Sequence, residues 1–293
     1  GRIVLVDRDV VELSNLQRQF LFDEADARDV APKAEAAAAK LERMNGEVEI
    51  RPVVADLVPE NALTLLGNHD VIVDATDSFE SRFLISDAGR RLRIPTIYAA
   101  CVGAEGLVAV NMPAKGWPCL RCYLGGLPPP GSAPTCETAG VVPALPPLVA
   151  AVAAGEAIRI AVGERPSRGV LTFSLWESDF QPFRAFGNAA SSADCEVCSG
   201  RRYPALEGGE TSEAARLCGR NAVQVRPAEA AAPNFDAIER ALVGRARVKR
   251  SAGALSADVD GVSLTLFSDG RCMIRGTEDL ARARAVYARY VGR

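Results

Sequence analysis

Arg2-Ile3-Val4-Leu5-Val6-Asp7 is an apolar run closed by an acid, and the fold follows from how the chain continues after it. An unbroken aliphatic run of this length suits a strand buried on both faces of a parallel sheet. A polar stretch over residues 12–29 comes next. Pro32 then opens an alanine-rich helix to about Met44, since proline at a first helical position has no N–H to lose. The alternation continues: residues 48–54 read as a strand, 59–66 as a short helix, 71–74 as a second buried strand and 79–92 as a helix. Residues 95–100 and 107–111 read as further strands. Strands alternating with helices indicate an α/β fold, an open and mostly parallel sheet with helices on both faces. Residues 148–162 read as an apolar, buried helix, and 170–176 and 180–183 as antiparallel strands.

Composition changes near residue 203, where Glu207-Gly208-Gly209-Glu210 suits a linker. The expected organisation is a large domain over 1–203, a linker over 204–216 and a small α+β domain over 217–293. In the small domain, helices are expected at 235–242 and 278–290 and strands at 246–249, 262–267 and 272–275. Ser268-Asp269-Gly270-Arg271 suits the hairpin turn between the last two strands.

The 293 residues are 48% hydrophobic, enough for a sizeable core. A net charge of −3 argues against nucleic acid as the main partner. There is no apolar run of transmembrane length and no signal peptide at the start, so no membrane partner and a cytoplasmic location are expected. The single histidine, His69, follows Gly67-Asn68 and reads as a surface loop residue, which disfavours Ser-His-Asp and Cys-His hydrolysis.

Two pairs stand out among the eight cysteines: Cys119-Leu120-Arg121-Cys122 and Cys195-Glu196-Val197-Cys198. Four thiolates in this spacing fill a tetrahedral Zn²⁺ shell, and a shell closed by protein sulfur is structural rather than catalytic. Cys136 lies apart, in a Gly- and Pro-rich loop over 125–147. It is either a nucleophile or an unreactive loop thiol. No lysine or histidine flanks it, and Glu137 raises its pKa. Cys101, Cys218 and Cys272 read as packing residues.

The chain begins abruptly. In a dinucleotide-type fold the first strand leads into a Gly-rich turn, and the second ends in an acid that binds ribose hydroxyls. Arg2 to Asp7 reads as that second strand. The expectation is therefore a chain without the first strand, phosphate loop and first helix of its domain. That first strand sits mid-sheet, so two strands would then lack their shared neighbour, and phosphate binding would lack the loop's N–H donors.

The run Asp7-Arg8-Asp9-Val10-Val11-Glu12-Leu13-Ser14-Asn15-Leu16-Gln17-Arg18-Gln19 is followed by Pro32-Lys33 and by Asp74-Ala75-Thr76-Asp77. With the two cysteine pairs and Cys136-Glu137-Thr138-Ala139-Gly140-Val141, these motifs resemble the ThiF/MoeB/HesA family, relatives of the ubiquitin-activating enzymes. The resemblance covers residues 1 to about 200 and implies a Rossmann-like, zinc-clasped adenylation domain. It implies adenylation, with ATP and Mg²⁺, of the C-terminal Gly-Gly end of a ubiquitin-like sulfur carrier of the ThiS/MoaD kind. By the same resemblance, Asp7 holds the ribose, Asn15, Arg18 and Lys33 contact phosphates, and Asp77 serves Mg²⁺. Cys119, Cys122, Cys195 and Cys198 hold Zn²⁺. Cys136 corresponds to a cysteine that enters thioester or acyl-disulfide chemistry in some members. A homodimer is also implied. Ser78 and Ser86 depart from the family's usual asparagines, while Arg82 is retained. The alternative is a non-catalytic, zinc-stabilised scaffold that binds a ubiquitin-like partner. A nicotinamide oxidoreductase fits the acid at the strand end but not the Ser14-to-Gln19 stretch or the clasp.

Overall fold

The computed structural model describes residues 1–114, 116–128, 139–184, 194–208, 216–217, 221–225, 232–242 and 246–291. Cys136 and Cys218 lie outside the described residues. By compactness the chain divides into two units, residues 1–56 with 212–293, and residues 57–211.

In the first unit, β1 (Arg2–Asp7) pairs in parallel with β2 (Glu49–Val54), with Arg2 opposite Glu49 and Asp7 opposite Val54. α1 (Glu24–Arg28) and α2 (Lys33–Met44) lie between them in the chain. α2 buries Ala34, Ala36, Ala37 and Ala38, whose single methyl groups let the helix approach the two strands closely. α1 falls inside the polar stretch over residues 12–29, for which the sequence indicates no element. Asp23 starts it by accepting the N–H groups of Ala25 and Asp26, and Lys40 of α2 ties it down by pairing with Asp23 at 2.7 Å and with Asp26.

The remainder of this unit is β8 (Arg216–Leu217), β9 (Ala222–Val225), α7 (Phe235–Leu242), β10 (Val248–Arg250), β11 (Ala254–Val259), β12 (Val262–Phe267), β13 (Cys272–Arg275) and α8 (Leu280–Tyr290). The strands form one antiparallel sheet in the order β10-β11-β12-β13-β9-β8. Alternation sends Leu255, Ala257, Leu264, Leu266 and Ile274 to one face, where α7 and α8 bring Ile238, Leu242, Ala283 and Val286. Ala254, Phe267 and Met273 point to the opposite face and surround Val10, with Val54 beside them.

The second unit contains α3 (Pro59–Leu66), β3 (Ile72–Asp74), α4 (Phe79–Leu92), β4 (Thr96–Val102), β5 (Glu105–Asn111), α5 (Leu120–Leu124), α6 (Leu145–Ala161), β6 (Val170–Ser174) and β7 (Asp179–Arg184). Its sheet runs β3-β4-β5-β6-β7. β3 and β4, joined through α4, are parallel, and each later neighbour is antiparallel. Helices cover both faces of β4 and β5. Ile97, Ala99, Val108 and Val110 meet Leu145, Val149 and Ala153 of α6, while Tyr98 and Ala109 meet Leu120 and Tyr123. α4 packs on α3 through Phe83 and Ala88 against Ala62 and Leu66.

The expectation that the helix near 148–162 is buried needs correction. α6 buries only one stripe, and Ile158 and Val162 are 63% and 66% exposed. A sheet covers one side of a helix, and nothing among the described residues covers the other.

Candidate active site

Asp7 sits at the C-terminal end of β1, where the chain leaves the sheet. Its Oδ1 accepts the N–H of Asp9 at 2.8 Å, which turns the chain sharply back. Burial pushes the Asp7 carboxyl above its ordinary range, and the nearby Lys33 ammonium opposes that shift. Lys33 is the first residue of α2, with only 10% of its side chain exposed. Its Nζ lies 3.6 Å from Asp9 Oδ2, and its backbone N–H donates to the Asp9 carbonyl at 2.9 Å. Asp7, Asp9 and Lys33 thus form one half-sheltered group of charges at the strand's end.

The loop then passes through Val10 and Val11, both buried, into a single 3₁₀ turn over Leu13–Asn15. Asn15 is buried and its Oδ1 accepts the Glu12 N–H at 3.2 Å, which closes the turn. Arg18 is half-buried and donates from Nη1 to the Ser14 carbonyl at 3.0 Å. Asp7, Asn15, Arg18 and Lys33 all belong to the first unit.

Asp77 belongs to the second unit, where it is exposed on the loop after β3. Two neighbours shape that loop. Asp74 is buried and accepts the N–H and Oγ1–H of Thr76 at 2.9 and 2.8 Å, and desolvation pushes its carboxyl up. Arg82, on the first turns of α4, donates from Nε and Nη2 to the Thr76 carbonyl at 3.0 and 2.7 Å. Its Nη1 donates to the Tyr98 hydroxyl at 2.9 Å, and the guanidinium lies over the Phe79 and Tyr98 rings. The arginine therefore grips the carbonyl immediately before Asp77. In sequence Arg82 shows only as a retained basic position, because its targets lie six and sixteen residues away. The two serines that depart from the expected asparagines have local work to do. Ser78 caps α4 by accepting the Ser81 N–H, and Ser86 accepts the Leu120 N–H at 3.2 Å.

The four paired cysteines come together. The Sγ atoms of Cys119, Cys122, Cys195 and Cys198 all lie within 4.8 Å of one another. Cys119 is 3.7 Å from Cys122 and from Cys195, and Cys122 is 3.6 Å from Cys198. Four sulfurs ~2.3 Å from a central zinc would stand about 3.8 Å apart, so the donor set and spacing fit Zn²⁺. The cluster favours a single thiolate, at Cys122, while Cys119 and Cys198 are pushed up. Hydrogen bonds from the thiols of Cys119 and then Cys198 drive Cys122 far below the usual thiol range, while the bond to Cys122 pushes Cys119 up. Helix α4 carries the clasp. Besides the Ser86 contact, Asp87 accepts the Ala205 N–H at 3.0 Å, and Arg90 donates to the Trp117 carbonyl.

Cys136 lies outside the described residues. Cys272 is fully buried, which pushes its thiol up, and Cys101 is half-buried, so both pack as expected. His69 sits in the turn after α3, its Nε2 3.2 Å from the Leu65 carbonyl.

Residues 1–197 match the model of the ThiF family. The sulfur carrier protein ThiS adenylyltransferase of Bacillus subtilis is 36% identical over 298 residues, spanning 100% of this chain and 86% of that protein. The sulfur carrier protein adenylyltransferase of Thermus thermophilus is 35% identical over 204 residues, 68% of this chain and 73% of its own. Among solved structures, E. coli MccB with ATP superposes with a TM-score of 0.55 at 22% identity. That match takes in 68% of this chain and 59% of MccB, and it bears on the fold alone. The chain belongs to the ThiF family.

Proposed function

We propose that this protein adenylates the C-terminal glycine of a ubiquitin-like sulfur carrier, with ATP as the second substrate. The observation that carries the reading is the match to the ThiS adenylyltransferase along the whole chain. The ordered charges of the Asp7-to-Lys33 segment support it.

In the reaction, a carboxylate oxygen of the carrier's terminal glycine attacks the α-phosphorus. The bond from that phosphorus to the bridging oxygen breaks, and pyrophosphate leaves. The step needs no proton transfer to begin. It needs alignment and neutralisation of the charge that shifts onto the leaving group. Asp7 accepts the ribose hydroxyls. Asn15, Arg18 and Lys33 bind phosphate oxygens, and Lys33 approaches them from a sheltered position in which its charge is less screened by water. Asp77, an exposed carboxylate on a loop gripped by Arg82, would hold Mg²⁺, which would supply positive charge to offset phosphate. Zn²⁺ in the four-sulfur clasp is structural. Cys136 is the candidate to displace AMP from the acyl-adenylate as a thioester. The protein acts in the cytoplasm as a homodimer; the exposed Ile158 and Val162 on α6 support a second copy as a partner. Among the described residues no helix is long and apolar enough to cross a membrane.

The test is exchange of labelled pyrophosphate into ATP in the presence of a carrier ending in Gly-Gly. Exchange is expected with the unmodified protein and should fall by about 10²–10³-fold in Lys33→Ala, the range for losing one charge-stabilising donor. Exchange that is independent of the carrier's terminal glycine contradicts the reading.

A further inference from the structure

The antiparallel sheet β8–β13, with α7 and α8, has no part in the chemistry above, yet it grips the loop on which that chemistry depends. We infer that this sheet is a brace for the nucleotide loop over residues 8–15, and that Arg271 and Arg275 are its positioning residues. The inference rests on the adenylation reading only for what the loop binds.

Four contacts carry it, all within the first unit. Arg271 follows the turn between β12 and β13 and is only 2% exposed. Its Nε donates to Asp269 Oδ2 at 2.6 Å, its guanidinium lies 4.6 Å over the Phe267 ring, and its Nη2 reaches the Arg8 carbonyl at 3.5 Å. Its Nη1 is buried without a partner among the described residues. A buried cation with an unfilled donor is a poor source of stability. What it does supply is a fixed point for the backbone between Asp7 and Asp9. Next, Arg275 on β13 donates from Nη2 to Glu12 Oε1 at 2.5 Å. Glu12 is the residue whose N–H Asn15 accepts, so Arg275 holds the turn that presents Asn15. Between the two arginines Val10 plugs the sheet's apolar face, packed on Ala222, Ala254, Phe267 and Met273. Finally, Gly253, between β10 and β11, stands where a Cβ would come within 2.6 Å of Val54 Cγ2 and 2.8 Å of Glu35 Oε1. Only glycine lets the hairpin come this close to β2 and α2.

Thus Arg8, Val10 and Glu12 are each held from outside the strand–helix–strand unit that carries Asp7 and Lys33. A loop set in advance spares the ordering cost that nucleotide binding would otherwise meet, so the brace acts on affinity for ATP. Loosening it should raise KM for ATP and leave kcat nearly unchanged, because the cations assigned to the leaving group, Arg18 and Lys33, lie outside residues 8–15.

The experiment compares Arg275→Glu, Glu12→Arg and the double charge swap, using hydrogen exchange by mass spectrometry and steady-state adenylation. Each single variant should speed exchange in peptides covering 8–19 by tenfold or more and raise KM for ATP about tenfold, with kcat within twofold. Exchange in peptides covering 79–92 should stay unchanged, which reports an intact second unit. The double swap should restore both readouts to within threefold. Should Arg275→Glu fail to fold, Arg275→Gln is read in the same way. Unchanged exchange over 8–19, or faster exchange with an unchanged KM, overturns the inference, as does a folded double swap that restores neither. Failure of the adenylation reading shows separately, as absence of ATP turnover in the unmodified protein. It overturns the nucleotide half of the inference, while hydrogen exchange still decides whether the sheet holds the loop.

Discussion

In the proposed site, Asp7 would meet two opposed demands: burial raises its pKa, and accepting ribose hydroxyls requires it ionised. The sign follows directly. As pH falls through the raised folded value, a proton occupies the acceptor oxygens, so ATP affinity is lost in weak acid, before ordinary surface carboxylates titrate. Titration calorimetry across that range should show affinity falling with pH in the unmodified protein. Asp7→Asn should bind more weakly at neutral pH, with the acid-side slope removed; a variant that keeps the slope assigns it to another group. The positions of Asp7 at a strand end, Asn15 in a turn and Lys33 at a helix start follow from local pattern, whereas the roles proposed for them and for Arg18 come from the family resemblance. Arg82 was not legible from local pattern, since its value comes from a carbonyl and a phenol that the fold brings to it. Asp9 was equally hidden, because its link to Lys33 depends on where α2 begins.

At the scale of elements, α4 connects two devices. Arg82 near its start grips the Asp77 loop, and Ser86, Asp87 and Arg90 along its length hold the segments that carry the cysteine pairs. Binding a structural zinc contributes ~10–16 kcal/mol in peptide systems, comparable to the stability of a whole domain. Cys195→Ser should therefore lose stoichiometric zinc by elemental analysis and melt well below the unmodified protein. Retained zinc with an unchanged Tm contradicts the clasp. The spacing of the pairs foretold the cluster because Cys-x-x-Cys is a local geometry; the docking on α4 is not local and was not foretold. In the small domain α7, β12 and β13 follow their apolar periodicity to the residue, whereas β11 was passed over. Ala254, Ser256 and Asp258 are poor strand formers, so propensity alone argues against it. The signal that could have found it is Asp260-Gly261, both at positive φ (48° and 74°), flanked by Val259 and Val262 as a two-residue hairpin. α6 misled for the converse reason: alanines satisfy a buried and an exposed face equally, so its periodicity carries little information about which side is covered.

For the whole molecule, the fold class was readable from strand–helix alternation, because β1 and β3 are short aliphatic runs and helices separate β1, β2, β3 and β4 along the chain. The grouping of elements was not readable, since contacts between residues 1–56 and 212–293 join segments distant in the chain. Those contacts place the C-terminal sheet beside the loop that follows β1. In the proposed reaction, charges at the end of β1 and at the start of α2 turn a carrier's terminal carboxylate into an acyl-adenylate. Intact-mass spectrometry of a Gly-Gly-ended carrier, after incubation with the protein and Mg-ATP, tests it most directly. An AMP adduct is expected on the terminal glycine; it should disappear when the last glycine is removed and be strongly reduced with Lys33→Ala. A carrier of unchanged mass under conditions where the protein binds ATP, or an adduct formed equally well by Lys33→Ala, would contradict it.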